Sequence, residues 1–139
     1  MAYTRPSLKL THEGVMHALD AGIEKARALG APQNITIVDD GGNLLGFVRM
    51  DGAKTFSIMT SHKKAISAAS HRQPSGKLDP KLEHLFAAAT EGRLTNLEGG
   101  FPILFDGVCV GGIGVGSGTG AQDCEVARAM LAALGAQPL

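Results

Sequence analysis

Imidazole and ammonium side chains near the middle of the 139-residue chain are the first candidates for chemistry. His62, Lys63 and Lys64 are consecutive, and the apolar residues around them recur with helical period, which places His62 on the apolar face of a predicted helix. Imidazole can transfer a proton near neutral pH, and a lysine ammonium can hold an anionic substrate. His62 and Lys64 are therefore candidate catalytic residues. A buried structural histidine and a solvated lysine are the alternatives.

The other histidines and the cysteines do not indicate a metal site. No two of the five histidines have i, i+4 spacing, and the acids near them show no ligand pattern. Cys109 and Cys124 match neither a paired-thiol redox motif nor a zinc site. His12 continues the apolar stripe of the first predicted helix, so it is a candidate ligand-binding residue, with a buried structural histidine as the alternative.

A glycine-rich run, Gly111 to Gly120, follows a predicted strand and precedes a predicted helix. Backbone N–H groups in this setting can hold an anion. Gly114 and Gly116, with Gly99 and Gly100 upstream, are therefore candidate ligand or oxyanion contacts. The run has neither the lysine of a P-loop nor the spacing of a dinucleotide fingerprint, so it does not predict nucleotide binding. Close backbone packing is the alternative.

Two charged residues end the strands of a predicted hairpin. Asp39 precedes a Gly-Gly turn, where a carboxylate usually shapes the turn, and Arg49 ends the following strand as its expected neighbour across the hairpin. Both are candidate ligand-binding residues. A surface ion pair between them is the simpler alternative.

Helices and hairpins in alternation must position these residues. Thr11 as N-cap and Gly30 as a stop bracket a helix over 12–29. The other predicted elements are strands over 34–39 and 44–50, a helix over about 54–70, a loop over 71–80, a short helix over 81–90, strands over 101–105 and 108–115, and a helix over 121–134. Hairpins between helices favour an α+β fold with a helix-covered antiparallel sheet.

Composition and charge narrow the classes of partner. Thirteen basic and thirteen acidic residues cancel, so no basic field exists to attract nucleic acid. The longest uncharged apolar stretch, 108–115, is far shorter than the ~20 residues of a membrane-spanning helix. No apolar run follows the first basic residues, as it would in a secretory signal. We expect a single cytoplasmic domain over 1–139, with no membrane or nucleic-acid partner.

Several ordered motifs together resemble the GlcG/HbpS-like proteins. The similarity extends from about Leu10 to Leu134. It rests on Val38–Leu45, Arg49–Ala53, Lys64–Ala65, Gly99–Ile103, Asp106–Gly107, Gly112–Val115 and Gln122–Asp123. The resemblance implies a three-layer α/β/α domain with a central antiparallel sheet of about five strands, profilin-like in outline. It also implies a homo-oligomer.

The resemblance leaves two functions open. Family members include haem-binding sensors, the C-terminal part of PduO-type corrinoid adenosyltransferases, and proteins encoded beside catabolic enzymes. One implied function is small-molecule binding, with haem or a related planar ligand as the possible cofactor. The other is a cofactor-independent enzyme or accessory protein of catabolism that uses His62 and Lys64 as an acid–base site. Asn43 stands where the family commonly has a histidine, which removes one candidate haem contact and moves the interest to His62.

Overall fold

The computed structural model describes residues 1–139 and contains four helices and four strands. In chain order they are α1 (His12–Leu29), β1 (Asn34–Asp39), β2 (Leu44–Arg49), α2 (Ser57–His71), α3 (Glu83–Ala89), β3 (Gly100–Phe105), β4 (Val108–Gly116) and α4 (Gly120–Leu134). The predicted α+β class and element order are confirmed, although the sheet has four strands instead of about five. Helix α2 begins later than predicted because residues 54–56 form a turn, in which the Lys54 N–H donates to Ser117 Oγ at 2.8 Å.

Local sequence determines where helices α1 and α4 begin and end. The Thr11 hydroxyl accepts a hydrogen bond from the Gly14 N–H at 3.1 Å, and Gly30 ends α1 in the left-handed conformation with φ 64°. Helix α4 begins with a capping box, in which Thr119 and Gln122 each bind the other's backbone N–H. Such caps satisfy backbone groups that have no partner inside the helix.

The strands form one antiparallel sheet in the order β2-β1-β4-β3. Alternate side chains of β1 face opposite ways. Ile35 and Ile37 join α1 and α4 in a core of 16 buried residues. Thr36 and Val38 face α2, where the apolar cluster is much smaller and contains only Val38, Ala65 and Ala69 as buried members. The sheet therefore has one thickly covered face and one thinly covered face.

Glycines in β4 bring α2 close to the sheet. A Cβ atom at Gly112 would meet the carbonyl oxygen of Ala65, and one at Gly114 would meet that of Ser61. Because no side chain stands between them, α2 rests on the backbone of β4 and also packs on β1 and β3, and it has no comparable contact with β2. The α2 side of the edge strand β2 is consequently left uncovered. No helix combines the length and the hydropathy that a membrane-spanning segment requires.

Candidate functional site

An open and largely apolar groove lies between β2 and the first half of α2, with a volume of about 660 Å³. We call it the α2–β2 groove. Its lining residues are Thr36, Leu44, Phe47, Thr55, Phe56, Ile58, Met59, His62 and Lys63. Small-molecule sites typically measure about 300–1,000 Å³ and combine apolar walls with a few polar groups. The groove has the size and the chemistry of such a site.

Large apolar side chains line the groove and remain exposed. Phe56 is 66% exposed, Met59 62% and Leu44 57%. A contiguous apolar surface of this kind usually marks a place where a ligand or partner binds. Phe47, Phe56 and Met59 are not among the site residues predicted from the sequence. For Met59 the available signal was that α2 carries more large apolar residues than its single buried face needs.

His62 is the one predicted catalytic residue that reaches this groove. It is half-buried on α2 and lies in the lining beside Lys63. The imidazole is thus held against an apolar wall and also open to a bound molecule. Such a position suits either a ligand to a bound metal centre or a group that transfers a proton.

Lys64 faces away from the groove. Its ammonium donates to the carbonyl oxygen of Val115 at 2.7 Å and to Asp123 Oδ2 at 3.0 Å, and the Lys64 and Asp123 side chains are 6% and 4% exposed. Residues two apart on a helix point about 200° apart, so His62 and Lys64 cannot face one cavity from α2. The expected acid–base pair is therefore not assembled within the chain.

Asp123 is the buried partner that sequence analysis did not identify. Burial raises the pKa of its carboxyl, while the Lys64 ammonium and the Gly118 N–H, 3.0 Å away, act in the opposite direction. Burial has the larger effect, so the pKa lies above its ordinary value of 3.8. The pair joins α2 to the first turn of α4, and its role is to hold these elements together.

The four candidate glycines lie in the interior and do not line the groove. Gly114 and Gly116 lie beneath α2. The Gly100 N–H donates to Ser75 Oγ at 2.8 Å. Gly99 has φ 115°, and a Cβ there would lie 3.1 Å from the Lys64 ammonium. Their glycine identity is explained by close packing, and their amides do not form an anion cradle in this fold.

Asp39 and Arg49 are not neighbours, contrary to expectation. Arg49 pairs with Asn34 at one end of the hairpin, whereas Asp39 lies at the turn. There Asp39 Oδ1 accepts hydrogen bonds from the N–H groups of Gly41 and Asn43, both at 2.9 Å. Partial burial raises the pKa of this carboxyl, but these hydrogen bonds outweigh it and leave the pKa below 3.8. Asp39 shapes the turn.

His12 does not face inward, which corrects the interpretation from the helical stripe. It is the first residue of α1, its side chain is 88% exposed, and its Nε2 lies 3.2 Å from Glu13 Oε1. The buried stripe begins one turn later at Val15, because the first turn of α1 extends past the core.

Comparison with known proteins shows the family to which this chain belongs. A family model described as haem degrading protein HbpS-like matches residues 10–132. The chain belongs to the HbpS-like family. This confirms the resemblance inferred from the ordered motifs, which span nearly the same residues.

This HbpS-like chain matches most of the length of one curated relative but only about a third of another. Protein GlcG of Escherichia coli K12 is 39% identical over 96 residues, which are 68% of this chain and 72% of GlcG. The corrinoid adenosyltransferase PduO of Salmonella typhimurium is 31% identical over 124 residues, which are 82% of this chain but 35% of PduO.

Solved structures share the HbpS-like fold. A double mutant of Streptomyces reticuli HbpS has 32% identity and a TM-score of 0.84, with 95% of this chain and 91% of that chain covered. A PduOC–haem complex has 24% identity and a TM-score of 0.87, with 94% of this chain and 99% of that chain covered. At 24% identity, the similarity to the PduOC–haem complex is a similarity of fold.

Proposed function

We propose that this chain binds haem, or a related planar ligand, in the α2–β2 groove. The observation that carries the proposal is an apolar groove of about 660 Å³ with the imidazole of His62 in its lining. The description of the family names haem, and a protein of the same fold has been crystallised with haem.

The residues of the groove suit a planar ring system. Phe47 on β2 and Phe56 before α2 line it together with the aliphatic side chains of Leu44, Ile58 and Met59. Covering these side chains with a ring removes apolar surface from water, at about 25 cal/mol for each Å². Aromatic side chains also favour offset or edge-on contact with another ring. Haem iron takes an axial ligand, and a histidine nitrogen is a common one.

A haemin titration tests this proposal. The purified protein is expected to give a saturable Soret shift at micromolar haemin, and His62→Ala is expected to change the position of that band. His17→Ala is the matched control, because His17 is an exposed histidine on α1, across the sheet from the groove. It should bind as the wild type does. Absence of a saturable shift contradicts haem binding, and an unchanged band in His62→Ala excludes His62 as the axial ligand.

We also propose that the chain forms a homo-oligomer through the edge of β2. At the other edge, Pro102 has no N–H, and the backbone of β3 is already bonded by the N–H groups of Ser75 and Gln137. The β2 edge has no such cover, and Leu45 on it is 40% exposed. Unprotected edges tend to pair with another strand.

Light scattering after size exclusion measures this association. We expect a mass above that of the monomer, reduced in Leu45→Lys and unchanged in Val108→Lys, which alters an exposed residue at the start of β4. A monomeric wild type contradicts the proposal.

A further inference from the structure

A second cavity, of about 450 Å³ and more polar, lies beside the later turns of α2. The Gly41–Gly42 turn, which follows β1, and Ser67, Ser70, Thr90 and Arg93 contribute to its lining. The α2–β2 groove is lined by the preceding turns of the same helix and by Leu44, just after that turn. The apolar groove and the polar cavity therefore lie one after the other along α2.

Lys63 lies at the boundary between the two. Its side chain lines the groove, and a Cβ atom at Gly92 would lie 3.1 Å from its ammonium nitrogen. The ammonium thus sits against Gly92, directly before Arg93 in the chain. One cationic residue, Lys63, therefore lines the groove, and a second, Arg93, lines the adjoining polar cavity.

Neither cation has a carboxylate partner in the chain. The ion pairs of the structure are Lys9–Asp40, His12–Glu13, Lys25–Glu125, Arg27–Glu24 and Lys64–Asp123. Asp40 lines the polar cavity, but it is bound to Lys9 at 2.8 Å. Glu91, which adjoins Gly92 in sequence, pairs with neither Lys63 nor Arg93. The charges of these two residues are therefore available to an anionic ligand.

The hydroxyl groups of this cavity are largely committed to the protein. Ser67 Oγ donates to the Lys63 carbonyl oxygen at 2.7 Å and accepts from the Thr95 N–H at 2.9 Å. Thr90 Oγ1 donates to the Phe86 carbonyl oxygen at 2.8 Å. Charge-assisted bonds from Lys63 and Arg93 are thus the main attraction that this end offers to a ligand.

We infer that the ligand of the α2–β2 groove is amphipathic and carries a carboxylate at one edge, which Lys63 and Arg93 bind where the groove meets the polar cavity. The inference rests on the proposed function and names the chemical class of ligand for that site. The apolar lining takes the ring, and the two cations set its orientation by holding the charged edge.

The test compares haemin, which has two carboxylates, with its dimethyl ester, which has none. Wild-type protein, Lys63→Gln, Arg93→Gln and Lys25→Gln are titrated with each compound at low salt. Lys25→Gln makes the same change of charge on α1, across the sheet, where Lys25 pairs with Glu125 at 3.8 Å. Melting temperatures verify that every variant is folded.

Wild-type protein is expected to bind haemin more tightly than the ester. Lys63→Gln and Arg93→Gln should each weaken haemin binding about fivefold, as for an ion pair at a partly exposed site. Their affinity for the ester should equal that of the wild type, and Lys25→Gln should match the wild type with both compounds.

Two results overturn the inference while leaving the proposed function intact. One is equal wild-type affinity for the acid and the ester, with no effect of either substitution. The other is an equal loss for both compounds in the variants, which would assign Lys63 and Arg93 a packing role. Failure of both compounds to bind overturns the proposed function and this inference together.

Discussion

Two faces of α2 carry similar residues in different surroundings. On the sealed face, Lys64 is buried and its ammonium is bound to Val115 and Asp123. On the open face, Lys63 borders the groove and has no carboxylate partner. Adjacent lysines of one helix therefore have separate roles, since one joins two elements and the other remains available to a ligand. The role of a charged side chain therefore depends on the partners that the fold brings to it.

The sealed face also explains why the open one exists. Small residues of α2 pack directly on Gly112 and Gly114 of β4. This contact centres the helix on β4, with β1 and β3 on either side, away from β2. A single helix of this width cannot cover all four strands, so the apolar side chains of the edge strand form a wall of the groove.

Loss of Lys64 is expected to have the largest effect on stability. Lys64→Met leaves the Asp123 carboxyl buried without its cation, which costs about 3–5 kcal/mol in the free energy of unfolding. Urea denaturation at neutral pH measures this loss. Lys63→Met is the matched control on the open face and should change stability by no more than about 0.5 kcal/mol. Equal losses from the two lysines would refute the contrast between the faces.

The loss in Lys64→Met should also depend on pH. Without the ammonium, the pKa of Asp123 rises further above its ordinary value of 3.8. A carboxyl with a raised folded-state pKa stabilises the fold at low pH, and that stabilisation is lost as the pH rises through the folded-state pKa. The deficit relative to the wild type is therefore expected to grow from acid to neutral pH. A deficit independent of pH would argue that Asp123 stays ionised.

Gly114→Ala tests the close contact between α2 and β4, and it should have the next largest effect on stability. The added Cβ would meet the Ser61 carbonyl oxygen and would lie 2.6 Å from the Ala65 nitrogen. Overpacking of this kind costs about 1–3 kcal/mol. Gly116→Ala is the graded control, because its Cβ would lie 3.2 Å from Ser57 Cβ and 3.3 Å from Thr60 Oγ1. Urea denaturation should show a smaller loss for Gly116→Ala, and equal tolerance of both would contradict the close contact.

Met59→Ser on the open face should have the smallest effect on stability, within about 0.5 kcal/mol, because Met59 is 62% exposed. Its haemin affinity should fall about fivefold, since roughly 1 kcal/mol of apolar contact is lost. Met16→Ser is the control, because Met16 is similarly exposed, at 57%, but lies on α1. Equal haemin affinity in both variants would place the ligand elsewhere.

Residues close in sequence carried the predictions that the structure confirms. Thr11 and Gly30 bracket α1, and the Asp39–Asn43 segment forms the turn of the first hairpin, because caps and turns are short-range structures. The boundary of α2 was less accurate, since the turn before it is held by Ser117, far away in the chain.

The sequence by itself determined the elements, their order and the family, because periodicity, caps and ordered motifs are all read along the chain. Only the tertiary structure decided which side chains meet. Lys64 pairs with Asp123, 59 residues away in the chain. Arg49 lies opposite Asn34 and not beside Asp39. The glycines near position 114 pack against helix α2 and do not bind an anion. These outcomes follow from how α2 packs on the sheet, and packing depends on contacts between residues far apart in the chain.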